Sequence, residues 1–395
     1  MKALIVGGGI GGLAAAIAIA QRGHDVTVLE QAPKLTEVGA GLQISPNGWR
    51  VLEALGVTPM LRDTLFEPER VEMRMGVSGR KVFSLQMRGY AARRWGAPYI
   101  HIHRADLVAA LAQRLHRLAP DAIRTGAVVT GYAQDHTGVT LTLTDGATCS
   151  GDVAVGADGL HSVLRTQMLG PDAPRYTGNV AWRAVVPIDA LGAHAPPPGA
   201  CIWAGDGRHA VTTRLRAGAM ANFVGMVETP NPAPEGWHVE GNKADAIADF
   251  EGWNPVVATL IEQAETLNRW ALFDRAPLST WHDGRVVLLG DAAHPMLPSM
   301  AQGAVQALED AWILGALLDC KDTPAAAFSH YFDLRIARTT RVQKGSAANA
   351  RLFHKGSTLG KTAIYGPMAI ASRLLPTMIH ARQDWVYGYD VTTLI

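Results

Sequence analysis

Hydrophobic residues along the chain fall into two alternating textures. Residues 2 to 6 (Lys-Ala-Leu-Ile-Val) form a short apolar run, residues 10 to 21 an alanine-rich stretch, and residues 25 to 30 a second apolar run. The pattern predicts strand, helix and strand, a βαβ unit whose strands are apolar on both faces, as in a parallel sheet covered by helices. Gly23 is placed to stop the helix. The chain therefore opens on a doubly wound α/β unit.

From about 176 to 228 the texture changes. Ala181 to Ile188, Ala200 to Ala204, Arg208 to Leu215 and Ala219 to Val227 read as strands, with Gly205-Asp206-Gly207 and Arg216-Ala217-Gly218 as turns. That is an antiparallel meander. The α/β texture returns at Arg285 to Gly290, followed by a loop and a helix from about Gln302 to Leu318, so the meander is inserted in the α/β unit. Pro-rich stretches at 195 to 198 and 230 to 234 fit loops at its margins. Thr323 as N-cap and Pro324 start a long helix to about Phe353, and a tail containing proline and aromatic residues follows. The expected division is a discontinuous Rossmann-like α/β domain (1–75, 104–175 and 281–350), an inserted antiparallel-sheet domain (76–103 and 176–280) and a C-terminal helical tail (351–395). No internal repeat is found.

Composition narrows the function classes. Of 395 residues, 36 are Lys or Arg and 35 Asp or Glu, giving a formal net charge of +1. Such a balance provides no basic field for nucleic acid or an anionic membrane, and small molecules are the expected partners. Cys149, Cys201 and Cys320 are far apart and outside metal-ligand or CxxC spacing. A reducing cytoplasm and no metal are expected. The apolar start superficially imitates a secretory signal, but the glycines between Gly7 and Gly12 would break its helix. No segment has the roughly 18 uninterrupted apolar residues of a membrane span.

Gly7-x-Gly9-x-x-Gly12 sits at the strand-to-helix turn. The first glycine allows the turn, the second lets backbone approach a pyrophosphate, and the third lets helix and strand pack closely. Amides at the helix N-terminus then hold the diphosphate. Glu30, ending the second strand, is placed to accept bonds from adenosine ribose hydroxyls. Gly156-Ala157-Asp158-Gly159 and Gly290-Asp291 each put an aspartate at the end of a further apolar run, where open α/β sheets bind ligands. Either aspartate taken alone could instead be a helix N-cap or turn residue.

In these motifs and those that follow, the chain resembles the group A flavoprotein monooxygenases, particularly the salicylate and hydroxybenzoate hydroxylase branch, over nearly its whole length. The resemblance rests on the N-terminal fingerprint, His103-Arg104-Ala105-Asp106-Leu107, Asp158-Gly159-x-His161-Ser162-x-x-Arg165, Gly290-Asp291-Ala292-Ala293-His294-Pro295, Gln302-Gly303-Ala304 and Glu309-Asp310-Ala311. It implies tight, noncovalent FAD, with Arg104 near the diphosphate, Asp158 in a motif shared between FAD and nicotinamide handling, and Asp291 on the ribityl chain. It also implies that Gly39-Ala40-Gly41-Leu42-Gln43 lines the isoalloxazine and that Pro295 and Pro298 border the oxygen-reaction face. The resemblance also implies NADH or NADPH as a transient co-substrate without its own Rossmann domain, and the lack of a second GxGxxG in the chain agrees with that. The implied reaction is hydroxylation of a small aromatic or heteroaromatic compound, a phenolic carboxylate or hydroxypyridine, with O2 through a flavin C4a-hydroperoxide, in a monomer or homodimer. A flavin dehydrogenase or reductase of the same fold, or a non-catalytic flavin module, would share the cofactor motifs.

Two further readings come from the residues. Pro295 and Pro298 deny the loop backbone donors, and Gln302-Gly303-Ala304 opens a helix whose amide end would stabilise an anionic reduced flavin. Pro295 and Gln302 are accordingly candidate catalytic residues beside His209. Alternation in Arg208 to Leu215 places His209, Val211, Thr213 and Leu215 on one face, with Arg208, Thr212 and Arg214 on the other. Pattern alone leaves His209 either a satisfied core histidine or a catalytic one. Relatives often read His-x-x-x-Tyr-Pro here, with the histidine helping to deprotonate a phenol; this chain has Thr213-Arg214 in place of Tyr-Pro. Thr213, Arg183 and Arg214 are candidate substrate contacts.

Overall fold

In the computed structural model, residues 1–35, 41–232, 239–354 and 358–395 are described. The expected βαβ unit is present as the strand Lys2–Val6, the helix Ile10–Ala20 and the strand Asp25–Glu30. These strands lie in a six-stranded sheet ordered 282–283, 286–288, 153–156, 2–6, 25–30, 123–125, parallel except for the antiparallel edge strand His282–Asp283. Lys2–Val6 is central, with Val6 opposite Gly156 on one side and Leu29 on the other. The chain order reverses beside this strand, so a crevice opens at its C-terminal end, where Gly7 meets Ala157.

The Ala-rich helix is buried almost throughout because it packs against the sheet and between the helices Arg104–Leu118 and Gly303–Cys320. A helix apolar on all sides is stable only in such a position. One addition to the expectation is an antiparallel sheet of Val129–Gln134, Val139–Leu143 and Thr148–Gly151. Its middle strand buries Val139, Leu141 and Leu143 and exposes Thr142, a period-two pattern.

The inserted unit is a seven-stranded sheet ordered 268–274, 175–187, 220–228, 208–215, 200–204, 70–75, 81–86. Its middle is the expected antiparallel meander, with both turns as anticipated. Strand Arg70–Met75 pairs with Ala200–Ala204 in parallel. It lies in this sheet, not in the nucleotide-binding unit expected to extend to residue 75. One sheet face buries Trp182, Ala210 and Phe223 against Phe250 and the helix Pro255–Gln263. The opposite face is turned towards the rest of the chain.

Thr323 caps the helix Pro324–Phe353, its hydroxyl accepting the Ala326 amide at 3.3 Å. This helix lies along Gly303–Cys320. The tail forms the helices Thr358–Leu374, Pro376–Ala381 and Asp384–Tyr387. Among the described residues no helix is long and apolar enough to cross a membrane.

Candidate cofactor and substrate site

The fingerprint glycines divide by what surrounds them. A Cβ on Gly12 would lie 1.9 Å from the Gly7 carbonyl oxygen, and one on Gly7, whose φ is +106°, would lie 2.4 Å from the Ala157 oxygen. Backbone cannot yield there. Among the described residues, a Cβ on Gly9 would meet nothing within 4 Å, and the helix that Gly9 caps receives no side-chain cap. Its first amides therefore point into open space, the arrangement that accepts a diphosphate. Glu30 is held at the rim by two backbone donors, Gly8 N at 2.6 Å and Ala32 N at 2.7 Å. Each carboxylate oxygen retains a second lone pair for a ribose hydroxyl.

Asp291 follows the strand Val286–Leu288 on a short turn. Its side chain is reached by solvent from the crevice while protein packs around it; that packing raises its carboxyl pKa, with His294, Arg104 and Arg165 drawing it back down. Arg104 thus stands within electrostatic reach of Asp291. Asp158 accepts the amides of Val163 (2.8 Å) and Leu164 (3.3 Å) through Oδ2, so one of its oxygens is a helix cap. Its Oδ1 is buried without a hydrogen-bond partner among the described residues. Burial raises the Asp158 carboxyl pKa, and the bonds from Ser162 and the helix amides oppose this. The open space at Gly9, the uncapped helix and this orphaned oxygen all fit FAD.

Beyond the crevice, the loop from His294 to Ala301 leads into the helix Gly303–Cys320 and is supported from behind. His294 Nε2 contacts Asp310 Oδ2 at 2.5 Å, and Gly290 N donates to the same oxygen at 3.1 Å. Gln343 Nε2 donates to the Pro295 carbonyl at 2.8 Å. Arg335, fully buried, donates to Asp310 Oδ1 (2.7 Å) and Glu309 Oε2 (2.6 Å). Burial alone would raise Asp310, but His294 and Arg335 outweigh it and hold its pKa at about 2. Gln302 belongs to this network. Its Nε2 donates to Ser45 Oγ at 2.8 Å, and its Oε1 accepts Asn47 Nδ2 and Gln306 Nε2, each at 3.2 Å. That corrects the expectation of a catalytic side chain at 302, because a side chain 1% exposed with its amide so engaged positions the loop. Gly303 and Ala304 start the helix, and a Cβ on Gly303 would meet only Met296, at 3.8 Å.

The free face of the large sheet closes the other side. Leu297, between Pro295 and Pro298, packs on Ala181, Met226 and Trp270. Met226 pairs with His209 across the strands, so the proline loop lies over the face that carries His209. Thr213 lies farther along that face. Its hydroxyl accepts Asn222 Nδ2 at 3.2 Å, and Asn222 Oδ1 accepts Gly41 N at 3.0 Å. Gly41 begins the strand Gly41–Ile44, in which Gln43 Oε1 accepts the Tyr99 hydroxyl. Gly39 and Ala40 lie outside the described residues. Arg183 shares this sheet face, its guanidinium 4.8 Å from the Trp270 ring centroid. Arg214 does not. It donates to the Pro196 carbonyl (2.7 Å) from the opposite face, which corrects its candidacy as a substrate contact.

His209 is buried and well below the usual histidine pKa because burial, and then the neighbouring His354 ring, disfavour its cation. Its Nδ1 lies 2.5 Å from His354 Nε2. Sequence reasoning missed His354, Asn222, Ser45, Asn47 and Arg335. Asn222 alone left a signal, as a polar residue inside an apolar strand; the others are joined only by tertiary folding.

Residues 1–327 match the family model described as "FAD binding domain". The chain belongs to this family. Members similar to it include the 3-amino-4-hydroxybenzoate 2-monooxygenase PtmB3 of Streptomyces platensis, 36% identical over 98% of this chain and 95% of the relative. The 3-hydroxybenzoate 6-hydroxylase 1 of Aquipseudomonas alcaligenes is 36% identical over 98% and 97%. Among solved structures, Klebsiella pneumoniae HpxO, complexed with FAD and uric acid, superposes with a TM-score of 0.84 at 31% identity over 96% of both chains. The chain is thus an FAD-dependent flavoprotein monooxygenase.

Proposed function

We propose that this enzyme hydroxylates a small aromatic or heteroaromatic ring bearing an ionisable hydroxyl and a carboxylate, with NADH or NADPH and O2 as co-substrates, and with His209 as the base. Carboxylate-bearing phenols and hydroxypyridines are the leading substrates. The observation that carries the reading is His209, a buried imidazole on the sheet face that the proline loop covers and that Asn222 joins to Gly41. Relatives named for hydroxybenzoates support it, and so does a neighbour that holds uric acid, another ring that ionises.

FAD, when bound, accepts hydride from NAD(P)H and activates oxygen. Residues of this chain do the rest. Gly9, Glu30, Arg104 and Asp291 hold the dinucleotide; Gly41, Gln43, Pro295, Pro298, Gly303 and Ala304 border its ring; Asp158 stands beside them. The apolar sheet face and Leu297 exclude water from the reacting ring. His209 takes the substrate's hydroxyl proton and makes the ring electron-rich. Thr213 and Arg183 are the substrate contacts on this face, Arg183 as partner for a carboxylate.

The test is a panel of hydroxybenzoates and hydroxynicotinates screened for stimulated NAD(P)H oxidation, followed by product and hydrogen peroxide counted per NAD(P)H. His209→Ala should retain FAD, and hydroxylation should slow about 10²- to 10⁴-fold with peroxide replacing product. Unchanged coupling and rate in the variant would make His209 a core residue.

A further inference from the structure

His209 is the inner end of a chain of three side chains that reaches the surface. His354 ends the long helix Pro324–Phe353, and its Nδ1 lies 2.7 Å from Glu228 Oε1. Exposure rises along the chain, from 1% for His209 and 9% for His354 to 55% for the Glu228 side chain. Backbone fixes the three together. Glu228 N donates to the Gly207 carbonyl at 2.8 Å, and Gly207 N donates to the His354 carbonyl at 3.5 Å. We propose that His209, His354 and Glu228 form a proton relay between the substrate hydroxyl and solvent, with His354 and Glu228 as positioning residues that act through His209.

Bond direction follows from the outer end. Glu228 as a carboxylate only accepts, so His354 carries its proton on Nδ1 and presents a bare Nε2. His209 must then donate Nδ1–H to that nitrogen. Its own Nε2 is left without a proton, which is the form a base requires.

Burial dictates the rest. Among the described residues, the titratable groups that bear on these rings are each other and Glu228; Phe353 packs on His209 from the helix, and Met226 and Ala204 flank it in the sheet. Imidazolium is disfavoured there by desolvation. His209 therefore accepts a proton at Nε2 only as it releases the one on Nδ1. That proton passes to His354 Nε2, the His354 Nδ1 proton passes to Glu228, and one proton leaves to water. No charge stays on His209; when the product oxygen takes the Nε2 proton back, one proton enters from water through Glu228 and His354, and the rings return to their starting tautomers.

The relay rests on the reading of His209 as base, and the experiment separates the two. In FAD-loaded protein labelled with ¹⁵N-histidine, long-range ¹H–¹⁵N correlation should show His209 and His354 both protonated on Nδ1. An Nε2–H tautomer at His209 overturns the relay without any substrate. In stopped flow, the panel's best hydroxybenzoate should form its phenolate about 10- to 100-fold more slowly in His354→Ala and in Glu228→Gln, with added imidazole restoring His354→Ala in part. Glu228→Gln changes an exposed side chain and keeps the fold available to the test. Wild-type rates in both of these variants, with His209→Ala slow, overturn the relay and leave the base assignment standing. Wild-type rates in all three overturn both.

Discussion

Arg335 should be the residue whose loss most damages the cofactor loop without touching it. It is fully buried and donates hydrogen bonds to Asp310, Glu309, the Gln306 carbonyl and Gln306 Oε1. Arg335→Met keeps most of the volume and removes the charge. Breaking a buried ion pair by taking one partner costs about 3–5 kcal/mol. Glu309 retains Arg338 and Asn47, and Asp310 retains His294 and the Gly290 amide, which favours the lower end. With an unfolding entropy of about 2.1 cal/mol/K per residue, a chain of this length shifts its midpoint by roughly 4 °C for about 3 kcal/mol. FAD affinity should fall too, because Asp310 orients both Gly290 and His294 beside Asp291. The assay is thermal unfolding of apo- and holoprotein for Arg335→Met, Asp310→Asn and the double variant, whose cost should be about 1 kcal/mol or more below the sum of the singles. Acid provides a second check. The folded pKa of Asp310, about 2, lies below the unfolded value of about 3.9, so its contribution is complete above pH 4 and is lost as pH falls through 2. The gap between wild type and Arg335→Met should therefore begin to close below pH 4. A single-variant cost under about 1 kcal/mol, or strict additivity, would refute the reasoning.

Three further outcomes follow from the same geometry. Gly12→Ala should fail to fold or to bind FAD, whereas Gly9→Ala should keep the apoprotein's midpoint and weaken FAD at least about 10-fold, measured by fluorescence titration, since its methyl meets only cofactor space. Asp291→Ala should lower FAD occupancy after gel filtration with far-UV circular dichroism unchanged; wild-type occupancy would remove the residue from the site. Arg338 binds Glu309 and the carbonyls of Trp385 (2.9 Å) and Val386 (3.2 Å), so Arg338→Ala should release the C-terminal tail, read as faster tryptic cleavage near residue 382.

Much of this protein is decided locally. The strands at 2–6, 25–30, 200–204 and 208–215 end where hydrophobic pattern and turn glycines put them. Gly7, Gly9 and Gly12 announce a dinucleotide because the turn, the open space and the close packing each depend on a few adjacent residues. The Thr323 cap and the faces of Arg208–Leu215 are local in the same way: a strand's alternation alone sends Arg214 away from His209. What only the tertiary structure decided are contacts between residues far apart in sequence. No periodicity couples Gln302 to Ser45 and Asn47, Arg335 to Asp310, or His209 to His354 and Glu228. Strand 70–75 reads like any short half-apolar segment, and its place beside 200–204 is fixed by pairing across about 130 residues. The residues that announce a dinucleotide are thus legible in the sequence, while the groups that support the loop and link His209 to His354 and Glu228 depend on packing, which brings buried polar side chains together only where each finds its partners.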